Sequence, residues 1–317
     1  MARFLVIQTA FLGDAVLTLP LVGRLRMAFP EAEIHWVIRK GIEELFEAHP
    51  WNFKLWLWDK SWRGWWQLYR TLGSETWDAV LVVQRFFRMG LLGLSLPARV
   101  RITYDKNPLS VFYTHRIPHT FGAGIHEVSR VLSLLRPLGV SLDMPSPPWL
   151  FPPDSTMLNE TYIIVSPTSR WQTKEAPFEY WANFLKTVPS SVKVYLTGLE
   201  QDRARLDSLI AYHPRVENLA GLLSLRELSS LVKGARQVYA VDSALTHIAS
   251  ALGVPTTTVF CSTVPEFGFG PLSPNSHIVQ AEEELPCRPC GIHGKSACPK
   301  GHFRCGRELP TLLFAGA

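Results

Sequence analysis

The sequence predicts an α/β protein with two parallel sheets, each formed by its own half of the chain. Apolar runs of strand length alternate with helical segments along all 317 residues, as in βαβ units. A chain of this length is also too long for one ordinary hydrophobic core. Between the halves, residues 141–154 contain five prolines and indicate a linker. We therefore expect an N-terminal domain over residues 1–150 and a C-terminal domain over residues 151–317.

The first half contains four predicted strands separated by helices. The strands are expected at residues 3–9, 33–38, 54–58 and 79–83, and the helices at about 14–29, 42–48, 62–72 and 126–138. The first strand-to-helix turn contains one glycine, Gly13, so the G-x-G-x-x-G signature of dinucleotide-binding domains is absent. Asp14 follows at the expected N-cap of the first helix. It is either a simple cap or a carboxylate held at the top of the sheet.

The second half repeats the alternation of strands and helices. Strands are expected at residues 162–166, 193–197, 237–241 and 256–260, and helices at 178–187, 200–211, 224–233 and from about 244 to 252. The turn after the first of these strands, residues 167–174, contains hydroxyl side chains and Lys174. Such groups can hold a diphosphate through hydrogen bonds and a point charge.

The segment from Gln237 to Thr263 predicts one complete strand–helix–strand unit. Its strand-to-helix turn, at Asp242 and Ser243, opens at the carboxyl end of a strand, where open α/β sheets bind ligands. The first N–H groups of the helix have no partner within it, and the helix dipole favours negative charge there. The turn is therefore suited to a phosphate or diphosphate. The alternative is that Asp242 or Ser243 only caps the helix.

Composition and charge narrow the class of protein. With 47% hydrophobic and 19% charged residues the chain is globular, and no apolar run approaches the length of a membrane span. The N-terminus lacks a signal-peptide cleavage site, so we expect a cytoplasmic protein. The net charge is +5, with an excess of basic residues in 51–150 that suits an acidic partner. No nucleic-acid-binding motif is present, and we expect no nucleic-acid partner.

Tryptophans and basic residues are concentrated in one part of the first half. Residues 51–77 hold seven of the eleven tryptophans, interleaved with basic residues that include Arg63. Aromatic and basic residues together suit a membrane interface or a lipid-bearing acceptor, although they also pack helices onto sheets. Arg85 and Arg88 follow, as cations that can meet phosphates or carboxylates or as ordinary surface charges.

Four of the five cysteines lie near the C-terminus, at Cys287, Cys290, Cys298 and Cys305. Disulfides are rare in cytosolic proteins. A structural zinc ion is one interpretation of the spacing. The other is that reduced or redox-paired thiols pack a loop.

Three segments carry motifs, in order along nearly the whole chain. Residues 7–14 read IQTAFLGD and are followed by Leu19-Pro20; residues 241–247 read VDSALTH; and Cys287-Arg288-Pro289-Cys290 precedes Cys298-Pro299 and His302. Together these segments resemble the lipopolysaccharide heptosyltransferases of glycosyltransferase family 9.

The resemblance implies a fold, a reaction and a set of site residues. The fold is GT-B, with two Rossmann-like domains facing each other across a cleft. The reaction is inverting transfer of heptose from ADP-L-glycero-D-manno-heptose, on the C-terminal domain, to a Kdo- or heptose-bearing lipid A acceptor on the N-terminal domain. No cofactor is required, and contact with the cytoplasmic face of the inner membrane is peripheral. Asp14 is the implied general base. The implied donor-binding residues are Thr168, Ser169, Lys174, Asp242, Ser243, Ala244, Leu245 and His247. The weaker acceptor candidates are Gly13, Arg63, Arg85 and Arg88.

The chain departs from the family pattern at three places. Ala244 replaces a common glycine, Glu175-Ala176-Pro177 replaces a basic-aromatic-proline step, and residues 261–265 lack a usual glycine and aspartate. These differences leave the donor sugar open. The alternatives are a relative that uses another nucleotide sugar and a non-catalytic nucleotide- or lipid-binding protein of the same fold. A nicotinamide-dependent oxidoreductase and a zinc-dependent interaction protein are the remaining competitors.

Overall fold

The structure is a computed structural model that describes residues 1–152 and 160–314. The chain divides into two compact units, Met1–Phe151 and Pro152–Ala317. The last two residues of the predicted linker, Pro153 and Asp154, lie outside the described residues. Each unit is an α/β structure built on a parallel sheet of six strands. Within the described ranges, no helix has both the length and the apolar character needed to cross a bilayer.

The first unit has the strand order β3-β2-β1-β4-β5-β6. Its strands are β1 (Arg3–Ile7), β2 (Glu33–Arg39), β3 (Lys54–Trp58), β4 (Trp77–Val82), β5 (Ala98–Tyr104) and β6 (His115–Ile117). Its α-helices are α1 (Leu12–Ala28), α2 (Trp62–Leu72), α3 (Phe87–Ser95) and α4 (Glu127–Leu132). The central strand β1 is apolar and buried from Phe4 to Ile7, because helices cover both faces of such a sheet.

Two strands and a helix of the first unit, β5, β6 and α3, were not expected from the sequence. In β5, Arg99 and Arg101 interrupt the apolar residues, which hides the strand from a search for apolar runs. The segment expected to be helical at 42–48 contains only a 3₁₀ turn, Glu43–Leu45. The helix expected at 126–138 is α4 followed by a 3₁₀ segment, Ser133–Leu138.

The second unit has the strand order β12-β11-β10-β7-β8-β9. Its strands are β7 (Tyr162–Ser166), β8 (Lys193–Leu196), β9 (Val216–Asn218), β10 (Gln237–Val241), β11 (Thr256–Phe260) and β12 (His277–Gln280). Its α-helices are α5 (Phe178–Thr187), α6 (Arg203–Asp207), α7 (Leu225–Gly234), α8 (Ala244–Leu252) and α9 (Arg304–Arg307). The short strands β9 and β12 were not expected, and the helix expected at 200–211 is broken by 3₁₀ turns on either side of α6.

The order of the second sheet decides which turns meet. Strands β7 and β10 are parallel neighbours, with Ile164 opposite Val238 and Ser166 opposite Ala240. Their carboxyl ends therefore lie side by side at one edge of the sheet. The turn after β7 and the turn between β10 and α8 are brought together there, although strands, helices and loops of the intervening chain separate them in the sequence.

Candidate active site

Asp14, the expected catalytic base, lies in the first turn of α1 rather than at its N-cap. The helix begins at Leu12 and its N-cap is Phe11, so Asp14 is the third helical residue. The expected position was wrong because the helix starts inside the predicted loop. The carboxylate oxygen Oδ2 of Asp14 accepts the Phe11 backbone N–H at 3.1 Å. A negative charge is favoured at this end of a helix dipole.

A buried ion pair lies in the same electrostatic environment as Asp14. Glu127 and Arg130, on α4, are both buried and form a salt bridge of 2.6 Å. Burial raises the pKa of Glu127 to about 7; Arg130 opposes this rise, and the negative charge of Asp14 adds to it. Helix α4 packs against α1, so the charge of Asp14 acts on this buried pair.

His119 and Arg85 complete this group of charges. Burial, followed by the positive charges of Arg85 and Arg130, lowers the pKa of His119 to about 4, so its ring is neutral at pH 7. The ring packs edge-on against Tyr104, with 4.7 Å between ring centroids. Neither His119 nor Glu127 was predicted from the sequence. The only available signal was the i, i+3 spacing of an acid and an arginine, which is also common on exposed helices.

The four acceptor candidates fall into two groups. Gly13 is the buried second residue of α1, beside Asp14. Arg85 acts on the buried charges just described. Arg63 and Arg88 belong instead to a surface around α2: Arg63 is exposed on that helix, and the guanidinium carbon of Arg88 lies 5.4 Å from the centre of the Trp62 ring.

In the second unit, Lys174 and Asp242 form a salt bridge at the shared edge of β7 and β10. Lys174 Nζ lies 2.7 Å from Asp242 Oδ2, and both side chains are largely buried. The same carboxylate oxygen accepts the Thr263 hydroxyl at 2.6 Å. Two predicted donor-binding residues from separate turns are therefore in direct contact. The ammonium group is held by a partner that fixes its position next to the start of α8.

Glu175 anchors the turn that contains Thr168 and Ser169. Its Oε1 accepts the Ser169 backbone N–H at 2.8 Å. Arg205 reaches both oxygens of the same carboxylate, with Nη2 at 3.1 Å from Oε1 and Nη1 bonded to Oε2. Thr168 is buried in this turn. From the sequence, Glu175 was recognisable only as a departure from the family pattern, because its partner Arg205 lies 30 residues away.

The start of α8 lies at the same edge of the sheet. Ser243 is its N-cap, with an extended backbone, and makes no capping hydrogen bond through its side chain. Its hydroxyl oxygen is buried without a hydrogen-bond partner among the residues that the structure describes. Ala244 is the first helical residue, and its φ is not positive, so the replacement of glycine causes no backbone strain. Leu245 and His247 are buried in the helix, with the His247 ring 6.1 Å from that of Phe269.

The C-terminal segment is bonded to the candidate phosphate turn. Thr173 donates its backbone N–H to the Lys295 carbonyl at 3.0 Å, and its hydroxyl oxygen accepts the Lys295 N–H at 2.7 Å. Cys290 donates its N–H to the Ser262 carbonyl at 3.0 Å. Arg288 donates to the carbonyl oxygens of Cys261 and Thr263 at 2.7 and 2.8 Å. The cysteine-containing segment therefore supports the site through its backbone and Arg288.

The four C-terminal cysteines are not arranged as a metal site. Over residues 1–152 and 160–314, no three His, Cys, Asp or Glu side chains are placed so that they could hold one ion. All four cysteines are free thiols. Cys305 is buried in the hydrophobic core of the second unit, and burial raises its pKa to about 11. Cys287 Sγ lies 3.8 Å from His302 Nε2. The geometry therefore agrees with thiols that pack a loop and does not support the zinc interpretation.

Each unit thus carries a different chemical capacity at the carboxyl edge of its sheet. In the first unit, a partly exposed carboxylate, Asp14, lies among buried charges and can accept a proton. In the second, a lysine, a serine hydroxyl and the N–H groups at the start of α8 can hold phosphate oxygens.

Comparison with known proteins places this arrangement in a family. A family model described as glycosyltransferase family 9 (heptosyltransferase) matches residues 65–296. Lipopolysaccharide heptosyltransferase 1 of Pseudomonas aeruginosa is 29% identical over 319 aligned positions, which cover 91% of this chain and 86% of that protein.

Solved structures show the same fold. The structure of E. coli heptosyltransferase WaaC with ADP aligns with a TM-score of 0.75 and 22% identity, covering 87% of this chain and 92% of that chain. E. coli ADP-heptose lps heptosyltransferase II aligns with a TM-score of 0.74 and 18% identity, covering 91% of this chain and 95% of that chain. At these identities the likeness shows the fold alone.

Two parallel-sheet α/β units are the GT-B fold, which the structural matches show, and the family model identifies the chain as a glycosyltransferase. The family match spans most of the chain. This chain belongs to glycosyltransferase family 9, the heptosyltransferases.

Proposed function

We propose that this enzyme transfers heptose from ADP-L-glycero-D-manno-heptose to the inner core of lipopolysaccharide. The acceptor is a lipid A precursor that carries Kdo or heptose, and transfer inverts the anomeric centre. The family match carries this proposal, because it extends over residues 65–296 and includes the phosphate-holding turns of the second unit. The names of the relatives support the acceptor class, and the ADP bound to WaaC in one related structure supports the nucleotide.

In this proposal Asp14 is the general base. It takes the proton from an acceptor hydroxyl while that oxygen attacks the anomeric carbon of the donor. Help of this kind typically accelerates a reaction by about 10²–10⁴-fold. Asp14 lies outside the residues that the family model matches, so its role is supported by the Leu-Gly-Asp motif and by its place at the carboxyl edge of the sheet. Gly13 and Arg85 contact the acceptor on the same side.

The second unit binds the donor and stabilises the leaving diphosphate. Lys174 supplies a positive charge, and the hydroxyl groups of Thr168, Ser169 and Ser243 supply hydrogen bonds. The N–H groups of Ala244 and Leu245, at the start of α8, can bind the negative charge of the diphosphate. Charge that develops on ADP as the glycosidic bond breaks is therefore met by groups already in place. Asp242 positions Lys174 through their 2.7 Å contact. His247, buried in α8, completes the proposed set of donor-binding residues.

A transferase of the same fold that uses another nucleotide sugar is the second candidate. It is favoured by Ala244 and Glu175, which stand where the family commonly has a glycine and a basic residue. Neither change disrupts the turn, because Glu175 has its own partner in Arg205 and Ala244 has a helical backbone. The substitutions therefore bear on which sugar fits rather than on whether a diphosphate binds.

A donor panel tests both candidates. The purified enzyme is incubated with ADP-heptose, GDP-mannose or UDP-glucose, together with lipid A acceptors ending in Kdo or in heptose, and released nucleotide is measured. ADP release that requires an acceptor supports the proposal, and the preferred acceptor identifies the position modified. Acceptor-dependent release of GDP or UDP instead supports the second candidate, a transferase that uses another nucleotide sugar. Binding of nucleotide without release from any donor contradicts both and leaves a non-catalytic binding protein.

A further inference from the structure

An exposed surface of the first unit combines aromatic and basic side chains around the start of α2. We call it the α2 face, formed by Phe11, Lys60, Trp62, Arg63, Trp66, Phe86, Phe87 and Arg88. Its large apolar side chains are unusually exposed: Trp62 to 52%, Trp66 to 56%, Phe86 to 67% and Phe87 to 50%. Contiguous exposed apolar surface rimmed by polar groups marks an interaction site.

The spacing of α2 separates its buried and exposed sides. Trp65, Leu68 and Leu72 face the core, at spacings of three and four residues. Trp62 and Trp66 are one helical turn apart on the exposed side, with Arg63 beside them. The helix therefore buries one aromatic residue and presents two others to solvent. Packing of the helix onto the sheet thus accounts for Trp65 but not for Trp62 and Trp66.

Contacts between neighbouring segments link Phe11, Lys60, Trp62 and Arg88 within the face. The guanidinium carbon of Arg88 lies 5.5 Å from the Trp58 ring centre and 5.4 Å from that of Trp62. Arg88 Nη1 donates to the Lys60 carbonyl at 2.7 Å. Lys60 Nζ in turn lies 5.9 Å from the centre of the Phe11 ring. Basic head groups are thus held over aromatic rings, as cation–π contacts favour.

The face is basic. Lys60, Arg63 and Arg88 lie on it, and Arg70 follows on the exposed side of α2. One carboxylate, Asp59, lies at the margin and accepts the backbone N–H and the hydroxyl of Ser61 at 2.9 and 2.7 Å. Four cations against one carboxylate attract an anionic surface. Two copies of the same face would repel each other, because a symmetric contact places like charges together.

The face adjoins the candidate base. Phe11 follows β1, Lys60 follows β3 and Phe86 follows β4, so all three lie at the carboxyl edge of the first sheet. Phe11 is also the residue whose backbone N–H is bound by the Asp14 carboxylate. A surface that rests on this face therefore lies next to the proposed reaction site of the first unit.

We propose that the α2 face docks on a bilayer of anionic phospholipids. Trp62, Trp66, Phe86 and Phe87 enter the interfacial layer, where amphipathic aromatic rings are stable, and Lys60, Arg63 and Arg88 meet lipid phosphates. This docking rests on the proposed function for its purpose. An acceptor anchored in the membrane by lipid A would project its sugars toward Asp14 without leaving the bilayer.

Vesicle co-sedimentation tests the docking directly. The full chain is mixed with vesicles of phosphatidylcholine alone or with 30% phosphatidylglycerol, and the partition coefficient is measured. The wild type should bind the anionic vesicles, and the double variant W62S/W66S should bind at least about tenfold more weakly, because it loses two interfacial rings. The matched control is L199S/L222S, which removes two exposed apolar side chains from the second unit and should bind as the wild type does. Unchanged far-UV circular dichroism shows that each variant is folded.

Three results would overturn the proposal. The first is that the wild type binds neutral and anionic vesicles equally weakly. The second is that W62S/W66S and L199S/L222S lose binding to the same extent. The third is that the wild type self-associates in sedimentation velocity without lipid while W62S/W66S does not, which would assign the face to a second copy of the chain.

A deacylated, water-soluble acceptor distinguishes failure of the membrane docking from failure of the proposed function. Transfer to that acceptor should be equal in the wild type and W62S/W66S, whereas transfer to an acceptor embedded in anionic vesicles should fall in the variant. No transfer by the wild type to either acceptor contradicts the proposed function and leaves the vesicle-binding result to stand by itself. Equal transfer by both proteins to the embedded acceptor contradicts the docking alone.

Discussion

At the scale of single residues, the second unit shows how a substituted position can remain functional. Glu175 takes the place of a basic residue of the family, yet it binds the Ser169 N–H and is held by Arg205. Its carboxylate is buried, and a buried charge needs partners with good geometry. The sequence alone could show that Glu175 was unusual but not that Arg205, on another helix, compensates for it. Local motifs could be recognised because their residues are adjacent in the sequence, whereas Glu175 and Arg205 lie 30 residues apart.

Neutralising Asp14 tests the base assignment. Asp14→Asn keeps the size of the side chain and removes its ability to accept a proton, so turnover should fall by about 10²-fold or more. Donor affinity should be unchanged, because the donor is proposed to bind the other unit. Steady-state kinetics and calorimetric titration with ADP measure the two quantities. The control Glu44→Gln removes an exposed carboxylate of the same unit and should turn over normally. Turnover by Asp14→Asn within a few-fold of wild type would remove Asp14 from the mechanism.

Neutralising Lys174 tests the phosphate site. Lys174→Met removes the charge proposed to meet the diphosphate and leaves Asp242 without its partner. We expect ADP to bind about 10–100-fold more weakly, as is typical when a charge-assisted contact is lost. The matched control is Lys193→Met, which breaks the 2.7 Å contact with Glu217 on the same sheet but away from the turn. Equal loss of ADP affinity in the two variants would point to a general effect on the unit.

At the scale of secondary-structure elements, the packing of α4 near α1 gives the first unit a predictable pH response. Strands and helices with uninterrupted patterns, such as β3, α2, β7 and β11, were predicted to the residue. The packing of α4 against α1 was not predicted, because it brings together segments that lie far apart in the sequence. Sequence periodicity identifies the faces of helices, but only the folded chain decides which faces share a charge environment.

The raised pKa of Glu127 predicts how stability depends on pH. The folded-state pKa, about 7, lies above the ordinary value of 4.5. Between these values the folded state binds more protons than the unfolded state, so this carboxyl makes unfolding easier as pH rises from about 4.5 to 7. His119, with its lowered pKa of about 4, acts in the opposite direction over roughly the same range.

The variant Glu127→Gln isolates that contribution. It removes the titrating group but leaves His119, so its free energy of unfolding should rise more steeply with pH between about 5 and 7 than that of the wild type. The pH dependence of the free energy of unfolding is compared rather than its absolute value, because the loss of the Arg130 partner lowers stability at every pH. Urea unfolding followed by tryptophan fluorescence at several pH values measures it. Parallel stability curves for the two proteins would show that Glu127 does not titrate in this range.

At the scale of the whole molecule, the fold class and the division into strands and helices followed from alternation and length, whereas the support of the site did not. The turn at 167–174 was recognisable from its hydroxyls and lysine. Its bonds to Lys295 and to Ser262 join positions distant in the sequence, and most of them involve backbone atoms, which carry no sequence signal. The Thr173 and Ser262 hydroxyl oxygens are also in hydrogen-bond contact at 2.9 Å. The cysteine spacing suggested a metal because spacing in the sequence does not reveal where side chains point.

Chelation tests whether the whole enzyme works without a divalent cation. In the proposed reaction Lys174 and the N–H groups of α8 neutralise the diphosphate, so the role that a metal ion would play is filled by the chain itself. Dialysis against EDTA should therefore leave kcat and the melting temperature unchanged. Both are measured before and after treatment, with added Mg²⁺ and Zn²⁺ as the comparison. Loss of either quantity, restored by one of the ions, would contradict this expectation.

The hydrogen bonds between Thr173 and Lys295 also constrain the order in which the enzyme matures during synthesis. The last strand of the second sheet ends at Gln280, so a nascent chain can complete that sheet before Lys295 has left the ribosome. At that stage the turn beside β7 still lacks the backbone partners that define it. A chain that ends before Lys295 would therefore lack both bonds to this turn, and it would also lack Cys305 and Leu312, which are buried in the core of the second unit.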